Sequence, residues 1–143
     1  MTKVFVYGTL KRGYGNNHLL ADAKFIGTGE TVALCRLFDA GFPVLRQRSK
    51  RPGAWNAPVT GEVYEVNDAE LARLDSLESE GRMYHRREKK IRMANGEVIK
   101  AFVYVGSAEF WRERIPLYPA PDGAYTWQRG TPSWQHSGQY SSA

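Results

Sequence analysis

Two stretches of the chain carry residue types and spacings that could do chemistry. One is a glycine-broken strand end, "VFVYGTLKRGYG" (Val4–Gly15), and the other is Glu78 near the end of an amphipathic segment. Gly8 and Gly13 stand in the spacing G-x-x-x-x-G after a strand-forming run, which is how a phosphate-binding loop begins. Such a loop continues with Lys and Ser or Thr, whose ammonium and hydroxyl meet the phosphates and their metal. Here Tyr14 and Gly15 follow instead, so that chemistry is excluded. What remains is a strand end at which Gly8 lets the backbone turn and present consecutive N–H groups. A concavity of that kind takes a carboxylate as readily as a phosphate. Lacking a Cβ, Gly8 also admits a ligand close to the backbone. The competing reading makes Tyr7 and Leu10 core residues flanking an ordinary turn, and the stretch taken alone favours it.

Glu78 is the second candidate. The apolar stripe of the segment Asn67–Ser79 is Leu71, Leu74 and Leu77. At about 100° per residue, Glu78 lies about 20° from Leu71 around a helix axis and Asp75 about 40° to the other side. A carboxylate on the core-facing side loses hydration, which raises its pKa and suits it to move a proton near neutral pH. If the helix has ended by Glu78, the side chain points to water instead, and position alone leaves both readings open. His18, His85 and His136 fall in no metal-ligand spacing. Cys35, between Leu34 and Arg36 in a strand-forming run, reads as a buried inert thiol. No G-x-S-x-G is present, which removes the α/β-hydrolase elbow. Asp75 and Glu78 do not suit a glycosidase pair, whose carboxylates come from separate elements flanking the sugar.

The elements that must hold these residues can be read along the chain. Lys3–Tyr7 is a β-branched and aromatic run, expected as a buried strand. Asn16–Ala23 can form a short helix, and Phe25–Phe38 one or two strands broken near Gly27–Gly29. Gly41–Pro58 holds three prolines and reads as loop, while Val59–Val66 alternates as a strand should. Asn67 with Glu70 three residues on forms a capping box for the helix that carries Glu78, and Gly81 is the expected stop. Tyr84–Met93 and Val98–Val105 read as a hairpin turning at Asn95-Gly96. From Gly106 the chain is irregular and rich in Pro, Gly, Tyr and Trp. Antiparallel strands with one or two helices point to an α+β or barrel-like fold.

Composition sets the outer bounds. With 143 residues, 42% hydrophobic and 24% charged, the chain suits one soluble globular domain. No run approaches the roughly 20 apolar residues of a membrane span, and the N-terminus lacks a signal-peptide apolar region, which points to the cytoplasm. The single cysteine, Cys35, precludes an internal disulfide framework. The net charge of +5 is concentrated in Arg46, Arg48, Lys50 and Arg51 and in "HRREKKIR" (His85–Arg92). Charge runs of this kind are usually solvated faces. Aromatics are not interleaved with them as base stacking requires, so no nucleic-acid partner is expected.

The two chemical candidates meet in a resemblance. "VFVYGTLKRG", "GEVYEVNDAELARLDSLES" and "YHR" (Tyr84–Arg86), in that order within residues 3–105, resemble the γ-glutamylcyclotransferase-like family, closest to its γ-glutamylamine cyclotransferase branch. The pairing of Y-G-T-L with L-D-x-x-E at this separation carries the likeness. The fold it implies is a small mixed β-barrel with flanking helices, a single α+β domain over 1–143 whose tail, 106–143, departs from the family with Trp111, Trp127 and Trp134. The implied reaction is intramolecular. The α-amine of a γ-glutamyl group attacks its own γ-carbonyl, closing 5-oxoproline and expelling an amine. By resemblance, Tyr7, Gly8, Thr9 and Leu10 line the substrate pocket largely with backbone N–H groups, Glu78 carries the proton, and Tyr84 adjoins the pocket. Arg86 is a weaker pocket candidate than Tyr84, the plain role of both being strand packing and surface charge, and Tyr118 could close over the site. The resemblance implies a small-molecule γ-glutamyl substrate, with no metal, cofactor or covalent intermediate, because holding the substrate folded supplies the proximity. Related activities are a cyclotransferase acting on γ-glutamyl-amino acids or glutathione, whose members tend to carry Y-G-S-L, and a non-catalytic binder of the same fold.

Overall fold

The computed structural model describes residues 1–8, 10–11, 13, 15–111, 115–116 and 123–127. Its organising element is β1 (Thr2–Val6), which is buried on both faces: Val4 and Val6 point one way, Phe5 and Tyr7 the other. Alternate side chains of a strand face opposite sides of the sheet, so β1 serves two cores. It pairs antiparallel with β5 (Thr60–Val66) and parallel with β7 (Val98–Gly106) at Val4 opposite Phe102. β5 pairs with β2 (Lys24–Thr31), β2 with β6 (Tyr84–Met93), and β6 with β7, all antiparallel. The circuit β1-β5-β2-β6-β7 is a closed mixed barrel. Phe5, Val63, Ile91 and Val103 fill it, whereas Val4, Val6, Tyr64 and Leu74 belong to a second core outside the wall.

A second sheet, in the order β4-β3-β8, is made of β3 (Cys35–Asp39), β4 (Pro43–Gln47) and β8 (Ile115–Pro116). β4 corrects the loop expectation for Gly41–Pro58. Pro43 occupies the first strand position, where a missing N–H is tolerated, and Val44 and Leu45 are then fully buried. Phe25–Phe38 resolves into β2 and β3, with the break at Val32–Leu34 instead of Gly27–Gly29. The glycines stay within β2, where the register against β5 shifts between Phe25 and Gly27 and bends the strand without ending it. The helix expected over Asn16–Ala23 is a 3-10 helix, Asn17–Leu20.

α1 (Asp68–Glu78) starts as its sequence requires. Glu70 N–H donates to Asn67 Oδ1 (2.8 Å) and Asn67 N–H to Glu70 Oε1 (2.8 Å). It ends at Ser79, where the segment Asn67–Ser79 was expected to end, with Ser79 itself in the left-handed region (φ 48°); Gly81 (φ 91°), two residues on, shapes the entry to β6. The β6–β7 hairpin turns over Asn95 and Gly96 as expected.

The region after Gly106 is more integrated than its composition suggests. β8 adds to β3. Tyr125 bridges to Val59, with Tyr125 N–H donating to Pro58 O (2.7 Å) and Thr60 N–H to Tyr125 O (2.8 Å). Trp111, Tyr125 and Trp127 are buried, whereas Tyr118 and Trp134 lie outside the described residues. No described helix is long and apolar enough to cross a membrane.

Candidate active site

β1 runs out of the barrel at Tyr7, and the last turn of α1 ends beside it. Between them opens a cavity of about 230 Å³. Tyr7, Gly8, Leu10, Glu78 and Tyr84 all line it, so the strand end and the helical carboxylate singled out by sequence share one wall. Thr9 lies outside the described residues. Asn16, Phe42, Leu77, Met83 and Tyr104 complete much of the lining and were not singled out as site residues.

The loop after β1 is pinned through its carbonyls. Lys11 N–H donates to Gly8 O (3.0 Å) and the Asn17 side-chain amide to Leu10 O (2.8 Å), which leaves the Gly8 and Leu10 N–H groups out of these bonds. The buried Lys11 reaches the other way, its Nζ donating to Trp127 O (2.6 Å). Gly8 is needed for space: a Cβ there would stand 2.7 Å from Pro43 Cγ. The close approach at Gly8 is thus to the head of β4.

Three tyrosines surround the carboxylate. Tyr7 is buried, its hydroxyl donating to Tyr104 O (2.7 Å) and accepting from Leu45 N–H (3.2 Å). Burial, with the charge of Glu78 adding, drives its pKa well above the usual phenol value, so Tyr7 keeps its proton and offers the cavity a ring. Tyr84, nearly fully buried and packed on Trp111 (5.8 Å between centroids), is shifted upward by the same two causes. Tyr104 is held by its hydroxyl, which donates to Asp75 Oδ1 (2.7 Å), and it too stays protonated, chiefly through burial.

Glu78 is the final residue of α1 and is half-buried against this wall. Burial pushes its carboxyl up to about 7 from an ordinary 4.5. Asp75, one turn earlier, is committed elsewhere: it accepts from Tyr104 and from the Arg86 guanidinium, which lies 5.1 Å from the Phe102 ring centroid. Arg86 is therefore a clamp between α1 and the β6–β7 wall, packing on Phe102 of the neighbouring strand as well as pairing with Asp75. Leu77 also departs from its expected place. Leu74 is fully buried and Leu71 partly so, but Leu77 is 41% exposed, because the last helical turn overhangs the cavity instead of the core.

The remaining candidates lie elsewhere. Cys35 is buried, its pKa raised by that burial, and neither it nor His18 nor His85 lines the cavity. Among the described residues no group of three or more His, Cys, Asp or Glu converges to hold a metal ion. In β6 the charges of Arg87, Glu88, Lys90 and Arg92 are exposed, while Arg46 donates to Trp111 O (2.8 Å). What the cavity offers is a desolvated carboxylate, the protonated Tyr84 and a wall that includes Gly8 and Leu10 of the loop after β1.

That set of groups in a closed mixed barrel defines a class. The family described as Gamma-glutamyl cyclotransferase, AIG2-like, matches residues 4–129, past residue 105 where the motif likeness ends. The chain is 35% identical over 116 residues to the gamma-glutamylaminecyclotransferase of Rattus norvegicus, covering 73% of this chain and 77% of the relative. It is 37% identical over 108 residues to gamma-glutamylaminecyclotransferase A of Danio rerio, covering 71% and 66%. The crystal structure of an AIG2-like protein from Mus musculus superposes with a TM-score of 0.67 at 34% identity, over 86% of this chain and 82% of that one. The chain belongs to the γ-glutamyl cyclotransferase, AIG2-like family, and with it to the enzyme class expected from the motifs.

Proposed function

We propose that the chain cyclises a γ-glutamyl amine, releasing 5-oxoproline and the free amine, with Glu78 as the proton carrier. The observation that supports this reading is that Glu78, with its pKa lifted to about 7, lines the same cavity as Gly8 and Leu10. The α-carboxylate of the substrate docks on backbone N–H groups of the loop after β1, beside Gly8 and Leu10. Glu78 takes a proton from the α-ammonium. The freed amine attacks the γ-carbonyl carbon, forming the ring C–N bond. The carbonyl oxygen then carries negative charge, and in this reading the Tyr84 hydroxyl, which keeps its proton and belongs to a residue lining the cavity, donates to it. As the original amide C–N bond breaks, Glu78 gives its proton to the departing nitrogen and takes the surplus proton of the ring nitrogen, which passes to the released amine so that it leaves as an ammonium ion. One carboxyl near pKa 7 can do both jobs at neutral pH, since it gives and takes a proton with comparable ease.

Amine as leaving group, an isopeptide between glutamate and lysine in the first instance, is supported by the names of the rat and zebrafish relatives and by Thr9 in the Y-G-T-L loop. Incubation with Nε-(γ-glutamyl)-lysine should release 5-oxoproline, followed by mass spectrometry. Glu78→Gln should keep the circular dichroism of the folded chain and lose about 10²–10⁴-fold in turnover. Unchanged turnover in that variant would overturn the proton-carrier role.

A further inference from the structure

Phe42 and Leu77 are among the large apolar side chains left exposed in this protein, at 36% and 41%, and both line the cavity that holds Glu78. They come from separate elements. Phe42 sits in the β3–β4 turn, held by Ala40 N–H donating to Phe42 O (3.0 Å), its ring edge-on to Trp111 at 5.6 Å. Leu77 projects from the last turn of α1 and is the chain neighbour of Glu78. Exposed apolar carbon usually has no purpose when scattered singly, but two such groups facing one cavity form a surface that gains by being covered.

On the proposed reaction the departing nitrogen must lie within reach of Glu78 to receive its proton, so whatever that nitrogen carries extends along Leu77. Among the described residues, the side chains lining the cavity carry one formal charge, that of Glu78, and no lysine, arginine or histidine there could pair with a second carboxylate. Met83 and Pro43 add to the apolar lining of the same cavity.

We infer that Phe42 and Leu77 form the leaving-group subsite, which takes an unbranched alkyl or aromatic substituent on the released nitrogen and selects against a carboxylate placed beside it. This rests on the cyclisation proposed above and adds the chemistry of the departing half. The lysine isopeptide satisfies it, since four methylenes separate its ε-nitrogen from its charged end. A γ-glutamyl-α-amino acid does not, because its carboxylate is one carbon from the scissile nitrogen and approaches Glu78.

The test is a matched series: γ-glutamyl methyl-, propyl-, hexyl- and benzylamide beside γ-glutamylglycine, with 5-oxoproline as the readout. Along the alkyl series kcat/KM should rise about two- to fourfold per methylene, the upper figure being full burial of a CH₂ at about 0.8 kcal/mol. γ-Glutamylglycine should fall on the order of tenfold below the near-isosteric propylamide, through repulsion by Glu78 across a partly hydrated gap. Leu77→Lys should narrow or reverse that last ratio, a change in preference that a loss of stability alone cannot produce. Phe42→Ala, checked for an intact melting transition, should flatten the chain-length dependence. Equal kcat/KM across the series, or a glycine-to-propyl ratio unmoved by Leu77→Lys, overturns the subsite while leaving the cyclisation standing. Absence of 5-oxoproline from every member overturns both.

Discussion

Asp75 and Glu78 lie one helical turn apart on α1 and face different surroundings: Asp75 accepts hydrogen bonds from Tyr104 and Arg86, whereas Glu78 lines the cavity with its pKa raised by burial. The first ties the helix end to the β6–β7 wall. The second is thereby held in a place where a free carboxylate would otherwise seek water. The separation of tasks follows from the angle between them, about 60° around the axis for residues three apart at about 100° each.

The pH dependence of stability should betray Glu78. Its folded pKa of about 7 lies above the ordinary 4.5 it regains on unfolding. Between those values the folded chain binds more protons than the unfolded one. The favourable contribution is therefore complete below about pH 4.5 and is lost as pH rises through about 7. Glu78→Gln removes the charge, so it should melt higher than the parent at pH 8, by an amount worth up to about 3 kcal/mol. Near pH 4.5 the two should nearly coincide. Calorimetry at both values checks this, and a less stable Gln variant at pH 8 would contradict the desolvation. Activity should run the opposite way, with kcat/KM rising through a limb near pH 7 as the base loses its proton.

Asp75→Asn should act through Glu78. The amide can still accept from Tyr104, but its NH₂ cannot pair with Arg86, so the end of α1 loosens. Losing hydrogen bonds to a charged group costs about 1.5–3 kcal/mol, with the lower end suited to so accessible a pair. A loosened helix end hydrates Glu78, and hydration lowers a carboxyl pKa. The activity limb should then move down from about 7, with kcat falling more than KM rises. A variant that loses stability with an unmoved limb would show Asp75 to be structural only.

Much of this arrangement was legible because its causes are local. Asn67 and Glu70 specify the start of α1 within four residues, and Asn95-Gly96 specifies the hairpin. The strand end at Gly8 and the carboxylate at Glu78 were visible as residue types at telling positions. β4 was hidden because Pro43 and Gly41 argue locally for loop, while the burial of Val44 and Leu45 depends on a cavity built from distant strands. Tyr104 was hidden for a related reason. Its partner Asp75 is 29 residues away and its carbonyl serves Tyr7 from 97 away, and no periodicity records such contacts. Leu77 misled because a stripe with helical period does not tell where the core ends.

Gly8→Ala tests whether the strand end is shaped by its neighbour. The new methyl would stand 2.7 Å from Pro43 Cγ, so either the loop or the head of β4 must move. Overpacking of this sort costs about 1–3 kcal/mol. The displaced loop should raise KM through weaker docking of the α-carboxylate. Pro43→Ala removes the atom in the way, so the double variant should recover stability beyond the sum of the single effects. Double-mutant melting and KM measurements decide it; simple additivity would assign the requirement for Gly8 to something other than Pro43.

Tyr7 and Tyr84 line the same cavity, yet their hydroxyls should give opposite results when removed. The Tyr7 hydroxyl is engaged on both sides, donating to Tyr104 O and accepting from Leu45 N–H. In Tyr7→Phe those two buried groups lose their partner, which costs about 1–3 kcal/mol for each left unsatisfied. The melting temperature should drop clearly. Tyr84→Phe deletes the donor proposed for the developing oxyanion, and loss of one such donor costs about 10²–10³ in kcat. Its stability should change less, since the ring keeps its place on Trp111. Steady-state kinetics well below the melting temperature separate the two effects. If Tyr7→Phe loses more turnover than Tyr84→Phe, the oxyanion faces β1 instead of β6, and the substrate lies in the cavity the other way round.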